Sequence, residues 1–304
     1  MEEINIKEYL KSFKNERICY LPNPGNAGDS LIACATFQIL DDLRINYRLY
    51  SSEKLNLENK ILFFGGGGSL VHYYDQTVGI IEKMHQKVKK LVILPHTINY
   101  HENLLKSFKS NVDIFCREKV SYDYVKNIAS GANVMLTDDL AFNLKVDEIL
   151  TKDSDSLLKT IFRELVYLVK NRNSRFLDFP SLKELKYFLR KENELFKLRN
   201  NNTLNCFRKD VEKTDLILPD NNITLASLLT SRKPINRANS FWVSNQLLRF
   251  INHSSKIRTN RLHIAIAAAL LNKEVYLYKN SYYKNEAVYR YSMEKRFPNV
   301  QFMG

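Results

Sequence analysis

The sequence is poor in the features that mark several protein classes. It has four scattered cysteines, Cys19, Cys34, Cys116 and Cys206, with no CxxC pair. This spacing argues against a disulfide framework or a zinc site, and we expect reduced, partly buried thiols. No run approaches the ~20 apolar residues that span a bilayer, and the first residues lack the basic-then-apolar layout of a secretory signal. We therefore expect a cytoplasmic protein.

Acidic residues are outnumbered, with 33 Asp and Glu against 46 Lys and Arg, so the formal net charge is +13. A basic surface attracts nucleic acid, an acidic membrane leaflet or phosphorylated substrates. The same charge can instead serve only solubility. No helix-turn-helix and no RNA-recognition pattern of aromatic residues is present, which argues against nucleic acid as a partner.

The chain divides into three compositional zones. Residues 1–145 and 201–304 alternate apolar strand candidates with amphipathic helices, which favours parallel sheets. Residues 146–200 contain few Gly or Pro and predict amphipathic basic helices, either a packed connector or insertion, or helices on a membrane surface. The predicted fold class is α/β, with two Rossmann-like domains, a helical connector and an interdomain cleft.

Glycine is scarce, yet two glycine-containing turns follow predicted strands. In NPGNAGDSLI, Gly25 and Gly28 permit a tight turn into a helix whose free N–H groups face an anion or a sugar oxygen. Asp29 is there either a helix cap or a catalytic base. The run Gly65–Gly68 predicts either a ligand loop or a flexible turn, and it fits neither a dinucleotide fingerprint nor a P-loop.

Two histidines, His96 and His101, are candidates for ligand or metal binding. His96 follows Pro95 at a strand end, where open α/β sheets place ligand-contacting groups. Its spacing to His101 matches no known metal-ligand pattern, and we expect no metal.

Arg261 and His263 open an otherwise apolar helix, where cations oppose the helix dipole unless an anion is present. This predicts a phosphate or carboxylate bound by Arg261, with His263 near enough to donate a proton. Alternatively, Arg261 pairs with a neighbouring carboxylate and His263 is capped by backbone.

Taken in order, these motifs resemble the polysaccharide pyruvyl transferase family. The resemblance runs through NAGD (26–29), GGGGS (65–69), LPHTI (94–98), REKVS (117–121), DDLAF (138–142), FRKD (207–210), NRLHIAIAAALLNKEVYLY (260–278) and NSYYKN (280–285). Two positions depart from the family pattern. Asn260 stands where the family has Asp in Thr-Asp-Arg-Leu-His-Gly, and His96 stands where it has Gln.

The resemblance implies a GT-B-like pair of domains without a metal or other cofactor. It implies transfer of pyruvate from phosphoenolpyruvate to two hydroxyls of a sugar as a cyclic ketal, with the acceptor on the N-terminal side and the donor on the C-terminal side. Arg261 and His263 are carried over from the RLH motif, and Arg208 from FRKD.

The chemistry assigns further roles. A donor with a phosphate and a carboxylate needs two cationic anchors, from Arg208, Arg261 and Lys284. His263 is the expected general acid, and Asp29 or His96 the base. The predicted sugar contacts are Asn26, Gly28, Gly66, Gly67 and His96.

The acceptor is expected to be a glycan or a lipid-linked oligosaccharide precursor at the inner membrane leaflet, where the basic chain makes peripheral contact with anionic lipid. Two alternatives remain open: a nucleotide-sugar glycosyltransferase of similar fold, and a non-catalytic relative.

Overall fold

The structure is a computed structural model that describes residues 4–50, 57–150, 190, 202–230 and 235–304. The chain packs as two compact units. The first unit contains Met1–Pro24 and Ala35–Asn143, and the second contains Gly25–Cys34 and Leu144–Gly304. Most of the predicted helical connector (146–200) lies outside the described residues. The boundaries at 145 and 200 stay predictions.

The first unit is built on parallel strands joined by helices. In chain order its elements are α1 (Ile6–Lys11), β1 (Arg17–Leu21), α2 (Ala27–Asp42, which begins in the second unit), β2 (Asn46–Leu49), β3 (Ile61–Phe64), β4 (Gly67–Leu70), α3 (Asp75–Met84), β5 (Lys90–Ile98), α4 (Glu102–Ser107), β6 (Val112–Cys116), α5 (Lys119–Ile128), β7 (Asn133–Leu136) and a 3-10 turn (Leu140–Asn143).

These strands form a seven-stranded sheet in the order β2-β1-β3-β5-β6-β7, with β4 also paired to β5. Every pairing is parallel. All residues of β3 and β6 are buried, as expected for interior strands of a parallel sheet covered by helices. β1 lies between β2 and β3, so the chain passes to one side of β1 and then crosses to the other. At such a switch point, open α/β sheets bind ligands beside the carboxyl ends of their strands.

The second unit repeats this plan on a smaller sheet. Its further elements are α6 (Val146–Leu150), β8 (Thr203–Cys206), α7 (Leu225–Leu228), α8 (Arg237–Asn252), β9 (Lys256–Thr259), α9 (Leu262–Leu270), β10 (Glu274–Tyr278), α10 (Lys284–Val288), a π turn (Tyr289–Met293) and β11 (Val300–Met303). The strand order is β11-β10-β9-β8, and all pairings are parallel. Helix α9 is apolar on nearly all sides and is accordingly buried.

The predicted α/β class with parallel sheets is confirmed. The two-domain arrangement with a cleft stays a prediction. All four cysteines are buried. Across the described ranges, no helix combines the length and apolar character needed to cross a membrane.

Candidate active site

Three cations and two carboxylates meet at the carboxyl ends of the strands of the second unit. Arg208 follows β8, Arg261 lies between β9 and α9, and Lys284 opens α10 after β10. Because neighbouring parallel strands end at the same edge of a sheet, these residues come together although up to 76 positions separate them. With Asp210 and Glu212 they form what we call the arginine cluster.

The arginines of the cluster are ion-paired. Arg208 donates from Nε to Asp210 Oδ1 at 2.7 Å and lies with Nη1 3.0 Å from Glu212 Oε2. Arg261 Nη2 lies 3.2 Å from Asp210 Oδ2, and Lys284 Nζ donates to Glu212 Oε2. The structure thus shows the alternative in which Arg261 pairs with a neighbouring carboxylate.

As defined by its five residues, the arginine cluster consists of three cations and two carboxylates. Its side chains are nearly buried, except that of Asp210, which is 36% exposed. Asp210 is therefore the counter-ion of the cluster that is nearest to solvent.

Burial alone would raise the pKa of Asp210. The hydrogen bond and the charge of Arg208, together with the charge of Arg261, outweigh burial and hold this pKa below its ordinary value. The pKa of Arg261 is lowered, first by burial and then by the charge of Arg208. The two guanidinium groups repel each other, and both are favoured by added negative charge.

Two buried donors beside the cluster lack acceptors. Asn260 Nδ2 and Arg261 Nε make no hydrogen bond within the described parts of the chain. Buried polar groups are normally satisfied, so each exception calls for an explanation. Both donors belong to consecutive residues at the entry to α9.

His263 packs against the turn that carries the NAGD motif. It is the second residue of α9, and Gly28 is the second residue of α2. A Cβ atom placed on Gly28 would lie 2.6 Å from His263 Nδ1. Only a glycine at position 28 leaves room for the imidazole of His263 at this distance. The NAGD and RLH motifs, 235 positions apart between Gly28 and His263, therefore meet within the second unit.

The turn before α2 is held by reciprocal hydrogen bonds. Asn26 Oδ1 accepts from the N–H of Gly28 at 2.8 Å, and Asp29 Oδ2 accepts from the N–H of Asn26 at 2.9 Å. This exchange resembles a capping box. The structure thus shows Asp29 stabilising the start of the helix, and its role as a base remains a proposal.

His96, Gly66 and Gly67 belong to the first unit. Gly65 and Gly66 lie between β3 and β4, whereas Gly67 begins β4 with a φ of 150°, a conformation open to glycine. The prediction of a glycine loop over 65–68 is therefore wrong for Gly67 and Gly68, because β4 pairs with β5 and extends the sheet.

His96 is part of a buried polar network. Its Nε2 accepts from the N–H of Ser69 at 3.2 Å, and Ser69 Oγ donates to Asn23 Oδ1 at 2.6 Å. Because a backbone N–H only donates, His96 carries its proton on Nδ1. Burial, reinforced by the charge of Arg117, lowers the pKa of His96 to about 3. With no exposed surface, His96 is a poor candidate for the general base.

The REKVS and DDLAF motifs form a buried ion pair in the first unit. Arg117 Nη1 donates to Asp139 Oδ2 at 2.6 Å, and both side chains are at most 1% exposed. Asp139 Oδ1 also accepts from the N–H of Ala141. Asp139 thus caps the 3-10 turn and neutralises Arg117.

Comparison with known proteins decides the family. The model of the family described as polysaccharide pyruvyl transferase matches residues 26–282, well over half of the chain. The chain belongs to the polysaccharide pyruvyl transferase family. The family implies an enzyme of pyruvyl transfer, with a polysaccharide as acceptor.

A solved structure supports the fold of this pyruvyl transferase. The chain is similar to a functionally uncharacterised protein from Klebsiella pneumoniae, with 29% identity and a TM-score of 0.75. The likeness covers 98% of this chain and 97% of the other. A search of curated proteins found no match.

Sequence reasoning missed part of the site of this pyruvyl transferase. Asp210 and Glu212 follow Arg208 at spacings of two and four residues, so the acidic residues of the FRKDVE segment were available as a signal for its pairing. Ser227, whose Oγ lies 3.3 Å from Arg261 Nη2, gives no such signal. Among the described residues, no group of three or more metal-ligating side chains could hold a metal ion.

Proposed function

We propose that this pyruvyl transferase uses phosphoenolpyruvate as donor and forms a cyclic ketal on two hydroxyls of a sugar. The observation that supports this most is the arginine cluster, which brings three cations to the start of α9, with Arg261 two residues from His263. Family membership supports pyruvyl transfer. The donor and the ketal are those that the family resemblance implies, and cationic side chains that can hold a phosphate and a carboxylate are compatible with them.

Binding begins with an exchange of anions. Phosphoenolpyruvate carries a phosphate and a carboxylate, and the forked donors of Arg208 and Arg261 match such planar or tetrahedral anions, while Lys284 acts as a point charge. Asp210 is the most exposed member of the cluster and gives way to the donor. Glu212 is 3% exposed and continues to hold Lys284.

The reaction needs one acid and one base. His263 protonates the methylene carbon of the donor, and the adjacent carbon becomes electrophilic. The oxygen of one sugar hydroxyl bonds to that carbon and its proton passes to a base, for which Asp29 is our proposal. The oxygen of the second hydroxyl then bonds to the same carbon as the bond from that carbon to the phosphate oxygen breaks. The proton of this hydroxyl passes to the leaving phosphate, which yields the ketal and inorganic phosphate.

The start of α9 stabilises the leaving group. The free N–H groups of a helix N-terminus favour developing negative charge on phosphate. In this proposal no metal and no other cofactor takes part. Asn26 and Gly28, at the start of α2, are proposed to contact the acceptor sugar.

The acceptor is proposed to be a glycan or its lipid-linked precursor, handled on the cytoplasmic side of the membrane. The net charge of +13 favours contact with anionic lipid. The predicted basic helices of 146–200 lie almost wholly outside the described residues. Sedimentation with anionic against neutral vesicles tests this contact, and equal binding to both would contradict it.

Incubation with phosphoenolpyruvate and a panel of glycosides tests the reaction. We expect phosphate release and a product heavier by one pyruvyl group. In His263→Ala, kcat should fall by about 10²–10⁴-fold, because a positioned general acid contributes that much. His253→Ala, which changes an exposed histidine of the same unit, is the matched control.

Near-normal turnover of His263→Ala would remove the proposed acid. Saturation by UDP- or GDP-sugars in place of phosphoenolpyruvate would favour the glycosyltransferase alternative. Donor binding without turnover in the unaltered protein would favour a non-catalytic relative.

A further inference from the structure

Asn260 is fixed in place by its neighbours. It connects β9 to α9 and is 1% exposed. Its Oδ1 accepts from the N–H of Arg208 at 2.8 Å, and its backbone oxygen accepts from Asn285 Nδ2 at 2.8 Å. Because the N–H of Arg208 requires an acceptor, the orientation of the Asn260 amide is determined, and Nδ2 is the atom on its other side.

Nδ2 of Asn260 is a donor with no acceptor in the described part of the chain, and the same holds for Nε of Arg261. A buried donor left without a partner is unfavourable by about as much as a lost hydrogen bond. The two donors belong to consecutive residues beside the three cations of the arginine cluster, and one anionic acceptor within reach of both would satisfy them.

We propose that Asn260 binds the donor substrate directly, its side-chain amide and Arg261 Nε donating to one anionic group of the ligand. The ligand class is a small phosphate- or carboxylate-bearing anion. This inference rests on the proposed function for the identity of the donor, but the site itself requires only such an anion.

The absence of charge on the Asn260 side-chain amide also affects the affinity of the site for anions. An aspartate at position 260 has the same shape and keeps the acceptor for the N–H of Arg208. It replaces the Nδ2 donor by a carboxylate oxygen and adds one negative charge beside the cluster. Asn260 therefore determines how strongly the cluster attracts anions.

The test compares Asn260→Asp with Asn221→Asp. Asn221 lies in the same unit, is exposed, and accepts from Asn205 Nδ2 through its Oδ1, so its replacement adds the same charge and keeps its acceptor. Calorimetric titration with phosphoenolpyruvate and with inorganic phosphate, at one ionic strength, measures Kd. We expect Asn260→Asp to raise both Kd values by on the order of 10-fold or more, and Asn221→Asp to leave them unchanged.

A merely structural role for Asn260 predicts another result, because Asn260→Asp retains the Oδ1 acceptor. Anion affinity within about twofold of the unaltered protein would overturn the proposal. A second measurement does not depend on the variant folding. In the unaltered chain, the side-chain amide resonance of Asn260 should shift on titration with inorganic phosphate, and an unmoved resonance at saturation would also overturn it.

The outcomes separate this inference from the proposed function. Weakened phosphate binding in Asn260→Asp without any pyruvyl transfer would support the anion site and contradict the reaction. Pyruvyl transfer with unaltered anion affinity in Asn260→Asp would support the reaction and contradict the role of Asn260. Absence of phosphate and phosphoenolpyruvate binding in the unaltered protein would overturn both.

Discussion

Gly28→Ala tests whether the position of His263 governs the reaction. The added Cβ would lie 2.6 Å from His263 Nδ1, and ordinary van der Waals contact begins at 3.4 Å. The imidazole must therefore move by roughly 0.8 Å. Misplacement of a reacting group by about 1 Å can cost on the order of 100-fold in rate, so we expect kcat to fall by about 10- to 100-fold.

The stability of Gly28→Ala should change little. Alanine is favoured over glycine in a helix by about 0.5–1 kcal/mol, which offsets part of the strain of moving the ring. Turnover followed by phosphate release and urea unfolding measure the two quantities separately. Loss of activity with the free energy of unfolding within about 1 kcal/mol of the unaltered protein is the expected combination.

Gly79→Ala is the matched control. Gly79 lies within α3, and a Cβ there has no atom within 4 Å, so this variant should gain a little stability and keep its turnover. If Gly28→Ala keeps kcat within twofold, or if its imidazole is unmoved in a structure of the variant, the reasoning from the Gly28–His263 contact is refuted.

Two further predictions concern the first unit. Arg117→Met should lower the free energy of unfolding by about 3–5 kcal/mol, because it leaves Asp139 charged and buried. The control, Lys106→Met at the exposed pair with Glu102, should change it by less than about 1 kcal/mol. Equal effects of the two variants in urea unfolding would contradict a stabilising role for the buried pair. The pKa of His96 is about 3 in the folded chain against an ordinary value of 6.5. Between these two pH values the unfolded chain binds a proton at His96 that the folded chain does not. The free energy of unfolding should therefore fall by up to about 1.4 kcal/mol per pH unit as the pH falls from 6.5 toward 3. His96→Gln should flatten this part of the profile, and an unchanged slope in the variant would contradict it.

The amino-acid sequence by itself determined the class of the fold and the family. The runs of β1, β3, β5 and β6 are apolar over most of their length, and a buried parallel strand needs little more than that to be recognised. Helix α9 was equally easy to recognise from the sequence, since a helix that is apolar on all sides is buried in the fold. The ordered motifs from NAGD to NSYYKN indicated the family because motif order is itself a property of the sequence.

Only the tertiary structure decided the rest. β9, KIRT, is polar at three of its four positions and is a strand because β8 and β10 pair with it on both sides. Gly67 extends the sheet because His96 of β5 is its pairing partner. The pairing of Asp210 with Arg261 joins residues 51 positions apart, and the contact of Gly28 with His263 joins residues 235 positions apart. Side-chain contacts of this kind depend on which strand ends meet at one edge of a sheet. A local sequence pattern does not predict which distant residues come into contact there.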